Sequence, residues 1–279
     1  MSLINPEEIK DQSIVCIAEL NTKTLSQYAS SLKPLSNSGT HPNKSTEITI
    51  NEDGIHLESQ NYSNTGVIVK EITYPSWRFF SSNEIKYLVE TEEFVNSVGK
   101  LGNKDVYIIA TEDGLELSNN TNLDEQTRIE MEAQVPNEHT YGQWGVYDDK
   151  SPFTAEIESG DLTQTLELVS QLQGESSTRV RFSFNQDTEE LDIETENISV
   201  SLELENPPEN PEAGTIGKYQ SDVLEQTTKT MDTEGTVIIK YIEEMPLEII
   251  NTPTKENGGG RVNNVTITRA VAPRIPDSE

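Results

Sequence analysis

One structural plan recurs four times along the chain, and this repeat limits the fold more than any other feature. Alternating strand-forming stretches fold back on themselves at 45–59 (STEITINEDGIHLES), 105–119 (DVYIIATEDGLELSN), 178–195 (TRVRFSFNQDTEELDIET) and 236–250 (TVIIKYIEEMPLEII). The first two turn at Asp-Gly, as a β-hairpin does, and the last two have longer, less regular turns. A short amphipathic helix precedes each hairpin, with apolar residues at helical spacing. These faces are Leu25, Tyr28, Ala29 and Leu32; Phe94, Val95, Val98 and Leu101; Leu162, Leu166 and Val169; and Val223, Leu224, Thr227 and Met231. Each helix opens near a Thr, Ser or Asp expected to cap it. A third strand closes each unit: GVIVKEI, RIEMEAQ, ISVSLELE and VTITRAV. The unit is strand, helix, then three strands, which buries a helix face on a sheet face in α+β layering.

The stretch VPNEHTYGQWGVYDDKSP lacks apolar periodicity and divides the four units into two similar halves. The expected domains are therefore 1–134 and 153–279, joined by a linker at 135–152. Hydrophobic residues make up only 33% of the chain, and 49 Asp and Glu against 20 Lys and Arg leave a formal charge of −29. Such a composition borders on disorder, but regular apolar spacing, with Pro and Gly kept to the breaks, points to a folded protein. A folded surface this acidic is what a salt-adapted protein presents, because high salt screens its self-repulsion. The 13 Lys against 7 Arg run against the usual haloadapted balance.

The chemistry-bearing motifs are missing. No phosphate-cradling GxxxxGK[ST] and no helix-opening GxGxxG occurs, and Gly258–Gly260 lies between strands as a hairpin loop. His41, His56 and His139 are scattered without Cys partners, so zinc-ligand spacing is absent. The single cysteine, Cys16, sits in the apolar run SIVCIAEL and is expected to be a buried structural thiol. No nucleophile has a base at a recognisable spacing. We expect no catalytic residue, no metal and no cofactor. The N-terminal residues lack a signal-peptide pattern and no apolar run is long enough to span a membrane. A soluble cytoplasmic protein without a membrane partner is expected, and the sequons at Asn43, Asn61, Asn197 and Asn264 read as incidental.

The four-unit plan, the central linker and three local stretches resemble the DNA sliding clamps of the proliferating-cell nuclear antigen family. INEDGIHLESQNYSNTGVIV is similar to the family's hairpin, front-face loop and next strand. MPLEI carries its Pro-Leu step, and VTITRAVAPRI its terminal strand with an Ala-Pro-basic-Ile ending. The resemblance is to haloarchaeal clamps or to one from a haloarchaeal virus. It implies a homotrimeric ring of six lobes with helices lining the hole and antiparallel sheets outside. Such a ring encircles duplex DNA, has no activity of its own, and tethers polymerase, ligase and nuclease. A loader opens it.

In that family, partners insert a glutamine-and-aromatic peptide beneath the linker. Carried over, the groove takes Gln60, Asn61 and Asn64 from the front loop and Tyr147 from the linker. It also takes Pro246 and the ending Ala272, Pro273, Arg274 and Ile275, while Val271 is expected in the core. Gln60 stands where the family has an apolar side chain and Asn61 where it has Asp. The linker is aromatic, with Tyr141, Trp144 and Tyr147. On the DNA-facing helices the resemblance places Lys33, Lys100, Lys104 and Lys229, whereas helix 160–173 has no basic residue. The subunit contact would pair strand 127–134 (Arg128, Glu130, Glu132) with strand 198–205 (Ser199, Ser201, Glu203) of the neighbour. Facing glutamates there predict an interface that loosens at low salt. The alternative reading is a clamp-fold protein that no longer encircles DNA and serves as a monomeric partner-binding or regulatory module.

Overall fold

A computed structural model describes residues 14–20, 25–26, 28–29, 31–32, 45–60, 66–73, 76–80, 84–101, 106–111, 114–119, 128–131, 133–134, 151–172, 179–214, 216–229, 231–251, 256–258 and 261–273. The first unit contains β1 (Ile14–Leu20), a helix α1 seen at residues 25–26, 28–29 and 31–32, β2 (Ser45–Ile50), β3 (Gly54–Gln60) and β4 (Gly66–Thr73). An extra strand, β5 (Ser76–Phe80), precedes the second unit: β6 (Ile85–Glu90), α2 (Thr91–Lys100), β7 (Val106–Thr111), β8 (Leu115–Ser118), β9 (Arg128–Met131), then β10 (Ala133–Gln134). The third has β11 (Phe153–Glu158), α3 (Ser159–Leu172), β12 (Arg179–Asn185), β13 (Glu190–Glu194) and β14 (Ser199–Glu203). After a 3-10 turn at Pro211–Gly214, the fourth has β15 (Gly217–Gln220), α4 (Ser221–Thr228), β16 (Thr236–Tyr241), β17 (Leu247–Asn251), the short β18 (Glu256–Gly258) and β19 (Arg261–Val271).

The units interlock in pairs. In each, the first strand leaves its own unit and lies beside the second strand of the neighbouring one: β1 on β7, β6 on β2, β11 on β16 and β15 on β12. Three sheets result, ordered β5-β1-β7-β8-β9, β14-β13-β12-β15, and β10-β6-β2-β3-β4-β19-β17-β16-β11 with β18 beside β19. The long sheet crosses from one half of the chain to the other at β4 and β19, paired from Asn264↔Thr73 to Val271↔Gly66.

Every helix-face residue named from the sequence is buried. The first core is built from the first two units and the second from the last two. Cys16 is buried, and desolvation pushes its thiol up to about 12, so it stays an inert thiol at neutral pH. Helix starts differ from expectation. Thr91, Ser159 and Ser221 are the first helical residues and are buried, while the capping positions Glu90 and Gln220 make no side-chain cap. Thr91 bonds Thr46 at 3.0 Å, and Thr46 bonds Ser59 at 2.7 Å. The Ser159 hydroxyl donates to the Asp232 carbonyl. The Thr91 hydroxyl joins helix to sheet and the Ser159 hydroxyl joins helix to the connection before β16, rather than closing a helix end.

The turns follow local chemistry. Asn51 Oδ1 accepts the Asp53 and Gly54 amides, each at 3.0 Å, and closes the first hairpin. The later, looser hairpins place Glu189 (φ 57°) and Glu244 (φ 64°) in the left-handed region. Arg269 is the largest fully buried side chain and lies at the seam, where its guanidinium donates to Asn251. Burial lowers it to about 10 against the opposing pull of Asp232, so it remains charged at neutral pH.

The second core is aromatic, with Phe153 against Tyr241 at 4.9 Å and Phe182 against Tyr219 at 5.7 Å. The 3-10 turn lies on these rings with no room for a side chain: a Cβ on Gly214 would sit 2.4 Å from Phe153. We expect Gly214→Ala to lose roughly 2 kcal/mol of stability by overpacking, read as a lower urea midpoint with unchanged m value.

Candidate functional surfaces

The described residues expected to line a groove lie along one end of the long sheet. Gln60 ends β3 opposite Val67, which faces Ala270, which faces Glu248. One step further, Val271 pairs with Gly66 and with Leu247. Pro246 precedes Leu247, and beyond Val271 the chain crosses to the other sheet, where Pro273 bridges Tyr219 of β15. The Tyr219 hydroxyl donates to the Met245 carbonyl at 3.2 Å. Pro246, Ala272 and Pro273 are half-buried, and Val271 is core as expected. The structure thus brings Pro246, Ala272 and Pro273 together, while Gln60 lies on β3, two strands from β19 along the same end of the sheet. Asn61, Asn64, Tyr147, Arg274 and Ile275 lie outside the described residues.

Gln60 corrects the sequence expectation. It is a strand residue, 3% exposed, and its Nε2 donates to Glu58 Oε1 at 3.0 Å. Its amide is already engaged and belongs to the sheet rather than to the front loop. Three strands along the same row, on β17, Glu248 is buried on the same sheet face. Desolvation raises its carboxyl above the usual range, and Lys240 opposite it pulls the other way. Tyr219 and Met245 were missed by the sequence reading. The alternation of Gly217 and Tyr219 ahead of a helix signals a buried tyrosine, but not its reach to residue 245.

Four strands close the four units. Two of them, β4 and β19, pair with each other inside the chain, whereas β9 and β14 each end a sheet. On β14 the exposed face carries Ser199, Ser201 and Glu203, with Leu202 inward. Ser201 donates to Asp192 at 2.6 Å. On β9, Arg128 and Glu130 alternate with half-buried Ile129 and buried Met131. The sequence treated 127–134 as one strand, but the ladder on β8 ends at Met131, and Ala133 and Gln134 pair with β6 instead. Glu132 lies outside the described residues. Glu205 has left the strand, and its amide bonds the Glu156 carbonyl.

Beside the open edge of β14, α3 leaves Leu168 43% and Leu172 57% exposed, the large apolar side chains most open to solvent among the described residues. By repeat alignment (Leu25 with Leu162), Leu168 corresponds to Ser31 of α1, which is 1% exposed. Beside the edge of β9, α2 and Ile129 line a cleft of about 420 Å³ with Glu92, Glu93, Asn96 and Lys100. The sequence reading missed both leucines. They stand off the Leu162, Leu166, Val169 face, which is the signal that could have found them.

Of the four lysines expected to face DNA, Lys100 and Lys229 are exposed at the C-terminal ends of α2 and α4, and Lys33 and Lys104 lie outside the described residues. Glu92 on α2, Asp161 and Glu167 on α3, and Asp222 on α4 are also exposed. Ser170 of α3 donates to Glu225 of α4 at 2.6 Å, fixing the two side by side. Among the described residues no group of His, Cys, Asp or Glu is placed to hold a metal ion, and no helix is long and apolar enough to cross a membrane.

Paired strand-helix-three-strand units under continuous antiparallel sheets define a sliding-clamp fold. No family model and no curated protein sequence matches the chain. Solved structures do. The complex of the C-terminal region of FEN-1 with A. fulgidus PCNA aligns with TM-score 0.70 at 13% identity, over 95% of this chain and 100% of that chain. PCNA from Thermococcus kodakaraensis aligns at 0.67 and 14% identity, over 93% and 100%. The PCNA2–PCNA3 complex from Sulfolobus tokodaii aligns at 0.64 and 14% identity, over 92% and 99%. The chain therefore has the fold of the PCNA sliding clamps.

Proposed function

We propose that the chain is one subunit of a ring-shaped DNA clamp, a scaffold with no reaction of its own. The carrying observation is that β4 and β19 pair within the chain while, among the described residues, their counterparts β9 and β14 are sheet edges. Open edges invite strand addition, and β9 of one copy on β14 of the next repeats the internal seam. Such a head-to-tail contact uses different patches on each copy and closes only as a ring, of three copies by the resemblance. Leu168 and Leu172 would enter the neighbour's cleft between α2 and Ile129, with Arg128, Glu130 and Glu132 facing Ser199, Ser201 and Glu203. The domains are 1–134 and 153–279, with 135–152 between them.

The helical surface would face duplex DNA with Lys33, Lys100, Lys104 and Lys229, and the exposed acids beside them make direct contact weak. Retention is then topological. The sheet end at Pro246, Ala272 and Pro273, continued by Asn61, Asn64, Tyr147, Arg274 and Ile275, would take peptides from polymerase, ligase, nuclease and the loader. The FEN-1 segment on A. fulgidus PCNA supports a docking role by fold analogy. The charge of −29 supports a salt-adapted archaeal or archaeal-virus clamp working in the cytoplasm. The acid on the helical surface favours one other reading, a monomeric partner-binding or regulatory module that has left DNA. The test is retention on circular DNA in 1 M KCl after loading. We expect the protein to stay on the circle and to leave when a restriction enzyme linearises it. Equal release from circle and line would sink the encircling reading.

A further inference from the structure

The outer face of the four-stranded sheet is divided by charge. Arg179 and Arg181 on β12 and Lys218 on β15 are exposed, while the alternating Val180, Phe182 and Tyr219 are buried toward the core. The register sets Arg181 directly opposite Lys218 on one side and Glu194 on the other, with Arg179 opposite Gln220. Arg181 reaches Glu194 at 3.6 Å. Beyond it the face turns acidic through Glu190, Asp192 and Glu203. Like charges set opposite each other across a ladder cost stability. In a chain with formal charge −29, three of the 20 Lys and Arg share this small patch. Its edge strand, β15, is the one beside which Pro273 bridges Tyr219, so the patch continues from the docking end.

We propose that Arg179, Arg181 and Lys218 bind a carboxylate-rich segment of a partner protein, carried past residues 272–273 onto the outer face of β15 and β12. Its position rests on the docking reading above, but its chemistry does not. Guanidinium forks suit carboxylates in a bidentate grip. The basic area is two strands wide, on the order of 5–10 Å, and Glu190 and Asp192 border it. A nucleic-acid backbone laid across it would overrun onto those acids, and the patch faces away from the helices. A few side-chain carboxylates match its extent.

The test titrates octaglutamate into the isotope-labelled protein at low salt, followed by backbone amide NMR. Shifts should concentrate at 179–181 and 217–220, and the triple variant R179S/R181S/K218S, which leaves the core untouched, should weaken binding at least about tenfold. No shifts, or shifts centred on Lys100 and Lys229, overturn the proposal. So does a single-stranded DNA oligomer that shifts the same amides more strongly. A second arm compares a glutamine-and-aromatic docking peptide ending in four serines with one ending in four glutamates. The glutamate tail should bind at least about threefold tighter. A weaker glutamate tail, which the net charge alone would impose, overturns the proposal. Failure of the serine-tailed peptide alongside a positive octaglutamate titration would reject the docking groove and leave the patch standing.

Discussion

The double variant L168E/L172E should sediment as a monomer under conditions in which the unaltered chain forms a ring. Each leucine has about half its surface left to cover, which contributes about 1 kcal/mol per side chain when buried. A glutamate in either place must instead be desolvated beside Glu92 and Glu93 of the adjoining copy. Together these weaken each contact roughly 100-fold or more, and a ring fails when any one contact opens. Because neither leucine belongs to a core cluster, the melting temperature of the separated subunit should hardly move. The unaltered protein should also respond to salt. Glu203 at the β14 edge and the two glutamates of the α2 cleft repel across the contact in dilute buffer and are screened in concentrated KCl. Analytical ultracentrifugation in both buffers decides. A stable trimer in dilute buffer removes the salt argument, a monomer at every salt removes the ring, and a trimeric L168E/L172E removes these leucines from the contact.

Repeat units, helix faces and most strands were legible because each obeys a local period. Phe94, Val98, Leu162 and Val223 announce their burial at helical spacing, and Ile48, Ile50, Ile55 and Leu57 announce theirs at alternate strand positions. The exchange of first strands between units was not legible. Nothing local in IVCIAEL says that it pairs with VYIIAT some ninety residues later rather than with its own hairpin. The end of β9 was also hidden, since Met131 and Ala133 differ in partner and not in pattern. At the end of the long sheet, Pro246, Ala272 and Pro273, which the sequence reading assigned to one groove, lie near one another. Gln60 was misread, because a polar residue next to a loop looks like loop until its amide is seen bonded to Glu58. Thr91 and Ser159 likewise look like caps, and only the tertiary contacts with Thr46 and Asp232 show their use.

The variant A272E/P273E should lose binding of a glutamine-and-aromatic peptide by roughly 100-fold or more, measured by fluorescence anisotropy. Ala272 and Pro273 are half-buried and lie outside both core clusters, one residue past the fully buried Val271. Two carboxylates in their place would require desolvation under any apolar peptide. The neighbouring position provides the control. V271D puts a charge between Gly66 and Leu247 at the fully buried end of both ladders and should cost about 4 kcal/mol or more, enough to unfold the second half. The two variants therefore separate a wall of a groove from a wall of the core. If A272E/P273E melts as V271D does, the ending belongs to the core and the docking reading falls. If it folds normally and the peptide still binds, the peptide is seated elsewhere. Only a folded protein that no longer binds shows that the chain crosses from β19 to β15 to form a surface for a partner.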